Sequence, residues 1–162
     1  MVIRKTQGLS KNLEKVIQDL KHIHMRVGWG ENQKYPDGTP VAEVAATNEF
    51  GSPAKHIPPR SFMRSTIMQE TENWKRTTAK GLKLVVNGSM TIHDSMESMG
   101  LKVAGDIKKT ISTITAPALA TSTIEARLRG KKQGKSVSLS IAKPLVDTGL
   151  MMNSLTSEVV SK

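Results

Sequence analysis

The sequence predicts an α+β fold in which a small mixed or antiparallel sheet packs with helices, including a long antiparallel helical hairpin. Two long segments with apolar residues at helical spacing, joined at Asn87-Gly88, indicate the hairpin. Residues 23–30 alternate between apolar and other side chains, which is typical of a half-buried strand. With 162 residues the chain is long enough for a real core, so we expect residues 1–162 to form a single domain.

The first elements are predicted from spacing and turn residues. Apolar residues at intervals of three and four predict an amphipathic helix from about Ser10 to Lys21, with Ser10 as its cap. Residues 31–40, ENQKYPDGTP, are expected to form a loop with a Pro-Asp-Gly turn. Between the helix and this loop we expect a strand whose apolar face carries Ile23, Met25, Val27 and Trp29.

Residues 41–67, VAEVAATNEFGSPAKHIPPRSFMRSTI, predict a short helix, a sharp break, a proline-stiffened loop and the start of a long helix. Thr39 is expected to cap the short helix, and Pro40 to occupy its first turn. Gly51 is expected to end it, because glycine adopts a left-handed conformation without strain. Phe50 and Phe62 are the two phenylalanines of the chain, and we expect both to anchor the core.

The hairpin is predicted over residues 59–114. Its first helix is expected from Pro59 to about Val86, with an apolar stripe formed by Met63, Ile67, Trp74, Leu82 and Val85. Gly100 and Gly105 weaken the second helix by roughly 1 kcal/mol each relative to alanine, which either close packing or flexibility would explain. The apolar seam of this second helix consists of Met96, Met99, Val103, Ile107, Ile111 and Ile114.

After Pro117, which ends the hairpin pattern, the predicted elements are shorter. A helix capped by Thr121 or Ser122 is expected to run through Arg129 and to end at Gly130. The polar, basic, glycine-containing residues that follow predict an exposed loop.

The last elements are a strand, a turn and a second strand. Residues 137–141 alternate between apolar residues and serine, which predicts a strand with one polar face. Asp147 or Thr148 is expected to cap a brief helical turn. Residues 155–160 alternate again and predict a closing strand.

Composition limits the classes of function. The chain has no cysteine, which excludes disulfides and thiolate metal sites. No apolar run approaches the roughly 20 residues that a membrane span needs, and residues 1–11 have no apolar core of signal-peptide length. The formal net charge is +10, which suits nucleic acid, an acidic protein surface or simple solubility.

No arrangement of residues predicts catalysis or metal binding. Three or four ligands make a useful metal site, so His22 and His24, which could share a strand face, are expected to be surface residues. Asp94, Glu97 and Asp106 are better explained as a solvated helix face. The chain has no sequence typical of a nucleophile elbow, a phosphate-binding loop or a zinc protease. We therefore expect no enzyme activity and no cofactor.

Two blocks of the sequence resemble a known family. NEFG followed by IPPRSFMR, and PALATSTIEAR followed by KPLVDTGLMMNSL, are similar in content, order and spacing to signatures of the neck and tail-completion proteins of tailed bacteriophages. The blocks cover Val41–Ile67 and Pro117–Leu155. Ser61 departs from the family pattern, where proline is usual, and so does Leu150, where a polar or basic residue is common.

The resemblance implies a structural protein of the virion at the head–tail junction, assembled in the host cytoplasm. Such proteins form a closed homo-oligomeric ring, bind portal or adaptor proteins and tail proteins, and leave a channel for DNA, which they contact transiently. No membrane is implied. The motif residues of this chain are Asn48, Glu49, Phe50, Gly51, Ile57, Pro58, Pro59, Arg60, Phe62, Arg64, Pro144, Leu145, Asp147, Thr148 and Gly149.

Two charged features have more than one interpretation. Glu49 and Arg60 flank the central loop and could clamp it for a neighbouring subunit, form a local salt bridge, or stay as unpaired surface charges. The basic segment could contact DNA, contact an acidic neighbour, or be a solvated loop. As an alternative function, the protein would be a DNA-binding protein that grips phosphates through residues 127–135. The basic residues are Arg127, Arg129, Lys131, Lys132 and Lys135.

Overall fold

The computed structural model of the chain describes residues 2–132, 143–146 and 148–161. It has the predicted α+β fold, in which two long helices pack together as a hairpin and two antiparallel strands, β1 and β2, form the sheet. The elements in chain order are α1 (Val2–His22), β1 (Ile23–Gly28), α2 (Val41–Phe50), a 3₁₀ turn (Pro53–Lys55), α3 (Phe62–Val86), α4 (Ile92–Thr113), α5 (Thr121–Lys132), α6 (Leu150–Asn153) and β2 (Thr156–Ser161).

The chain divides into two compact units, so the single domain stays a prediction. The first unit comprises the described residues within Met1–Val27, Glu70–Ala104 and Ser157–Lys162. The second unit comprises those within Gly28–Gln69 and Gly105–Thr156. Both segments that carry the family resemblance therefore contribute to the second unit.

Among the described residues, the first unit buries Val16 of α1, Ile23 of β1, and Met99, Val103 and Ala104 of α4. Gly100 is needed here for close packing, because a Cβ at this position would lie 2.9 Å from the Cβ of Ser157. Close approach to β2 therefore accounts for this glycine in the middle of a helix.

The second unit is built around Phe62, whose side chain is fully buried. The Trp29 ring meets the Phe62 ring edge-on, with the centroids 5.9 Å apart, and Trp29 Nε1 donates to the Met151 carbonyl at 2.7 Å. Trp29 therefore links α6 to the beginning of α3, and its hydrogen bond satisfies the indole N–H. Other buried apolar residues of this unit include Val41, Ala45, Ile107, Ile111, Leu145, Met151 and Leu155.

Three predicted helix ends were wrong. α1 begins at Val2, so Ser10 lies inside it and does not cap it. α3 begins at Phe62 and not at Pro59, because Arg60 holds the chain in a turn in which its carbonyl accepts the N–H of Phe62 at 2.8 Å. α5 continues through Gly130 to Lys132, since a helix tolerates an internal glycine at a cost of about 1 kcal/mol. The basic segment up to Lys132 is therefore helical and not a loop.

The predicted cap of α2 was also wrong. Pro40 occupies the N-cap position and no side chain caps the helix. The N–H of Thr39 donates instead to Asp37 Oδ1 at 2.9 Å within the Pro-Asp-Gly turn, and this contact lowers the pKa of Asp37. The turn itself is as predicted, because Gly38 has φ +86° and its N–H donates to the Tyr35 carbonyl at 2.9 Å.

Two predicted core residues lie at the surface. Phe50 is 67% exposed, because it ends α2 on the side away from the core. Ile67 is 49% exposed, whereas its neighbour Thr66 is buried. Thr66 Oγ1 donates to the Phe62 carbonyl at 2.6 Å and lies 2.7 Å from Thr110 Oγ1, so its hydroxyl is satisfied in the core. The inward face of α3 therefore starts with Phe62 and Thr66.

The remaining predictions concern the seam of α4, the last two strands and the pair His22 and His24. The seam of α4 is confirmed at its four central positions, from Met99 to Ile111. β2 confirms the closing strand, and His22 belongs to the end of α1, so it shares no strand face with His24. The predicted strand over residues 137–141 lies outside the described residues. None of the described helices is both long and apolar enough to cross a membrane.

Candidate functional site

Glu49 is a buried carboxylate that caps a helix to which it does not belong. It sits in the last turn of α2 and is 4% exposed. Its Oε2 accepts the N–H of Met63 at 2.8 Å, and its Oε1 accepts the N–H of Arg64 at 3.2 Å. These N–H groups belong to the first turn of α3, where no partner within the helix is available and where a negative charge is favourable. Glu49 therefore supplies the cap that α3 lacks locally.

Arg64 completes this arrangement from the side of α3. Its Nε donates to Glu49 Oε1 at 2.9 Å, and its Nη2 donates to the Glu49 carbonyl at 2.9 Å and to Ser61 Oγ at 2.6 Å. The guanidinium lies over the exposed ring of Phe50, 5.1 Å from its centroid, which is the geometry of a cation–π contact. The NEFG segment and the IPPRSFMR segment thus hold each other through Glu49, Phe50 and Arg64.

Arg60 joins the two segments that carry the resemblance. It is 5% exposed, and its Nε and Nη2 donate to the carbonyls of Pro117 and Ala118 at 2.8 and 2.9 Å. Its own N–H donates to the Asn48 carbonyl at 2.7 Å. Burial and, second, the positive charge of Arg127 lower the pKa of Arg60. Within the described part of the chain, no carboxylate forms an ion pair with this guanidinium.

These contacts correct the interpretation of Glu49 and Arg60. The two residues form no ion pair with each other and neither is a surface charge. Glu49 pairs with Arg64, fifteen residues away, and Arg60 binds carbonyls fifty-seven and fifty-eight residues away. No local spacing rule could find either partner. Asn48 behaves as predicted for a hydrogen-bonding helix end, since its Nδ2 donates to the Val44 carbonyl at 2.8 Å.

The central loop is closed on itself. The N–H groups of Ser52 and Ile57 each donate to the other residue's carbonyl, at 2.8 and 2.9 Å. Gly51 enters the loop with φ +78° and ψ 176°, so it combines the predicted positive φ with an extended ψ. A Cβ here would lie 2.8 Å from the Ile57 oxygen and 2.9 Å from the Pro59 nitrogen. Only glycine fits this backbone without displacing the loop.

The described residues of the second motif block belong to the same unit. Pro144 and Leu145 are buried. Thr148 Oγ1 accepts the N–H of Leu150 at 3.2 Å, while Gly149 occupies the N-cap position of α6 with φ +76°. The prediction that Thr148 caps this helix was therefore wrong, because Gly149 takes the N-cap position and no described side chain caps α6. Asp147, the other predicted cap, lies outside the described residues.

The basic residues separate into different environments. Arg127 is half-buried, and its Nη1 donates to the Lys143 carbonyl at 2.9 Å. Arg129 is exposed on α5. Lys131 and Lys132 lie in the last turn of α5, and Lys135 lies outside the described residues. Arg127 is thus part of the fold as well as a candidate contact, which its position in a basic run did not indicate.

A groove of about 590 Å³ opens in the second unit between the central loop and the second block. Its described lining carries the permanent positive charges of Lys55, Arg60 and Arg127, together with His56, against the single carboxylate of Asp37. Apolar side chains line it as well, among them Val44, Ile57, Leu145, Leu150 and Met151. The site can therefore recognise a ligand that is both anionic and partly apolar. Sequence reasoning identified some of these residues as motif positions but did not predict the groove.

A second cluster, on α4, was only partly anticipated. His93, Asp94 and Glu97 offer ligand atoms that all lie within 4.8 Å of one another, and all three side chains are exposed. The sequence had indicated a solvated face for the two carboxylates. Exposed acidic groups of this kind are common without a ligand, so we assign none.

Comparison with known proteins gives no further identification, since no protein-family model, no curated protein and no solved structure matches the chain.

Proposed function

We propose that this protein is a structural component of a tailed-bacteriophage virion at the head–tail junction. It would act by ring assembly and by binding connector and tail proteins, without catalysis or a cofactor. The observation that carries the proposal is the bond of Arg60 to the carbonyls of Pro117 and Ala118. The arginine of the IPPR motif thereby contacts the first residues of the second block.

The contacts between the two blocks support the interpretation that both blocks belong to the pattern of one family. Two unrelated segments with accidental resemblance have no reason to share a core and to satisfy each other's polar groups. Here the motif residues do both, through Arg60 and through the burial of Phe62, Pro144 and Leu145 in the same unit. Sequence pattern and packing agree, as expected for a sequence that specifies one fold.

Exposed apolar side chains in the first unit support subunit contacts. Leu13 and Ile17 lie four residues apart on one face of α1, and each is about half exposed. Leu101 on α4 is more exposed still. An apolar cleft of about 440 Å³, lined by Trp74 and Leu82 among others, lies along α3. Apolar surface of this kind marks sites of association when it is contiguous.

The proposal is tested in the phage that encodes the protein. Disrupting the gene is expected to leave filled heads and separate tails, and supplying the wild-type gene in trans restores joined particles. Mass spectrometry of purified virions is expected to find the protein, and negative-stain microscopy to place it at the junction. Joined, infective particles that lack the protein would refute the proposal.

DNA binding through residues 127–135 is the second candidate. The observation in its favour is that α5 extends to Lys132, so Arg129, Lys131 and Lys132 lie on one helix, in a chain of net charge +10. Duplex binding should then weaken steeply with salt, because each phosphate contact releases counterions. The variant with Lys131, Lys132 and Lys135 changed to glutamine should lose that affinity. Normal particle assembly by this variant, with loss of a salt-sensitive DNA affinity, would favour this candidate over the first.

A further inference from the structure

The groove in the second unit contains a buried positive charge, Arg60, which forms no ion pair with any described carboxylate. Arg60 uses Nε and Nη2 on neutral carbonyls, and Nη1 donates to no group in the described part of the chain. None of the described buried side-chain nitrogens lacks a hydrogen-bond partner, so Nη1 is reached by solvent. Arg60 lines the groove, which gives that solvent access. One arm of the guanidinium is therefore available to a ligand.

The residues around Arg60 in the groove favour the binding of a negatively charged group. Arg127 places a second guanidinium near enough to lower the pKa of Arg60, and Lys55 and His56 line the same groove. A buried charge is costly unless it is paired. A carboxylate held by Arg60 would form a short, charge-assisted hydrogen bond and would offset the repulsion between the two arginines.

The apolar lining narrows the class of ligand. Ile57, Leu145 and Met151 line the groove beside the cations, and its volume lies within the roughly 300–1,000 Å³ typical of ligand sites. An extended peptide with alternating acidic and apolar residues can place carboxylates on the cations and apolar side chains on the apolar part of the lining. We propose that this groove binds an acidic, partly apolar segment of another protein, with one carboxylate on Arg60.

Two other occupants fit less well. A second copy of this chain carries the same net charge of +10, which disfavours it as the source of an acidic segment. Duplex DNA presents its phosphates on the outside of a wide helix, whereas Arg60 is 5% exposed inside a groove with apolar walls. Phosphate contacts are made by side chains that reach out from the surface, as Arg129 does.

The inference depends on the groove alone and goes beyond the proposed role in the virion. Peptide binding is measured on the purified protein and particle assembly in the phage, so either result can fail without the other. The probe is a fluorescein-labelled octapeptide of alternating glutamate and leucine. Its comparison ligands are the same peptide with glutamine for glutamate, and a short DNA duplex, all at one salt concentration.

Fluorescence anisotropy gives the dissociation constants. The glutamate peptide is expected to bind at least about tenfold more tightly than the glutamine peptide. Lys55→Glu, an exposed change at the groove, should weaken binding by about fivefold or more. Lys80→Glu makes the same change of charge at an exposed site on α3 in the first unit and should have little effect. Thermal melting checks that both variants are folded.

Arg60 is not substituted, because its contacts hold the unit together. The NMR signal of its side chain is measured instead. In ¹⁵N-correlated NMR spectra, the side-chain Nε–H signal of Arg60 is expected to shift on addition of the glutamate peptide, while that of Arg76, on α3 in the first unit, stays in place. Three outcomes would overturn the proposal. These are equal weakening by both lysine variants, equal binding of the glutamine peptide, and tighter binding of the duplex at the same salt.

Discussion

Replacing Glu49 tests whether the two segments of the central stretch depend on each other for stability. Its carboxylate accepts the N–H groups of Met63 and Arg64 and the Nε–H of Arg64, at 2.8, 3.2 and 2.9 Å. In Glu49→Ala, two N–H groups at the start of α3 lose their acceptor. Because the site is buried, water replaces the lost oxygen atoms poorly.

The expected cost follows from three contributions. Loss of a helix cap costs about 1–2 kcal/mol. The ion pair with Arg64 contributes at most about 1 kcal/mol, because the Arg64 side chain is 57% exposed and its charge is screened. Removal of one buried methylene adds about 0.8 kcal/mol. The free energy of unfolding should therefore fall by about 3 kcal/mol, which lowers the Tm by roughly 6–12 °C for a chain of this length.

Two further variants sharpen the test. Glu49→Gln keeps the volume and one acceptor oxygen but turns an amide donor toward an N–H group, so it should cost about 1–2 kcal/mol. Glu72→Gln is the matched control, since that carboxylate pairs with Lys75 on the exposed face of the same helix. Thermal melting by circular dichroism and urea unfolding followed by tryptophan fluorescence give the values. A Glu49→Ala variant that melts with the Glu72→Gln control would refute the capping role.

Four more predictions concern the central stretch, Arg127 and the lysines of the basic segment. Phe62→Ala should cost about 3–5 kcal/mol in urea unfolding, because the ring is fully buried, and a parental midpoint would contradict its place in the core. Gly51→Val should lower the Tm, because its φ is positive and its Cβ would meet backbone atoms; unchanged melting would mean that the loop adapts. Arg127→Gln should lower the free energy of unfolding by about 1 kcal/mol, because the hydrogen bond to the Lys143 carbonyl is lost. Equal melting of variant and parent would contradict a stabilising role for that bond. The triple glutamine variant of Lys131, Lys132 and Lys135 should stay within about 0.5 kcal/mol of the parent, and a larger loss would make those lysines structural.

The elements that could be predicted are those defined by short-range rules. The alternation after residue 22 located β1, the break at Asn87-Gly88 located the turn of the hairpin, and Gly51 located the end of α2. In each case the deciding physics acts within a few residues, through side-chain periodicity or through a backbone angle that only glycine adopts easily.

The parts that escaped prediction depend on distant partners. Phe50 was expected in the core because phenylalanine is rare in this chain, but rarity says nothing about the side on which a helix end lies. Thr66 escaped notice because its burial requires a hydroxyl partner on α4, Thr110, which is 44 residues away. The groove combines Lys55 and Arg60 of the central stretch with Arg127 of α5, so no single stretch of sequence could indicate it.

The capping of α3 by Glu49 has a consequence for the way the molecule opens. A helix normally frays at its own ends, and its first amides exchange with solvent quickly. Here the amides of Met63 and Arg64 are held by a side chain from α2, so they become exposed only when α2 separates from α3. Their hydrogen exchange should therefore follow the slow opening of the whole second unit and not the local fraying of α3. The first turn of α3 should therefore open together with α2 and not by itself.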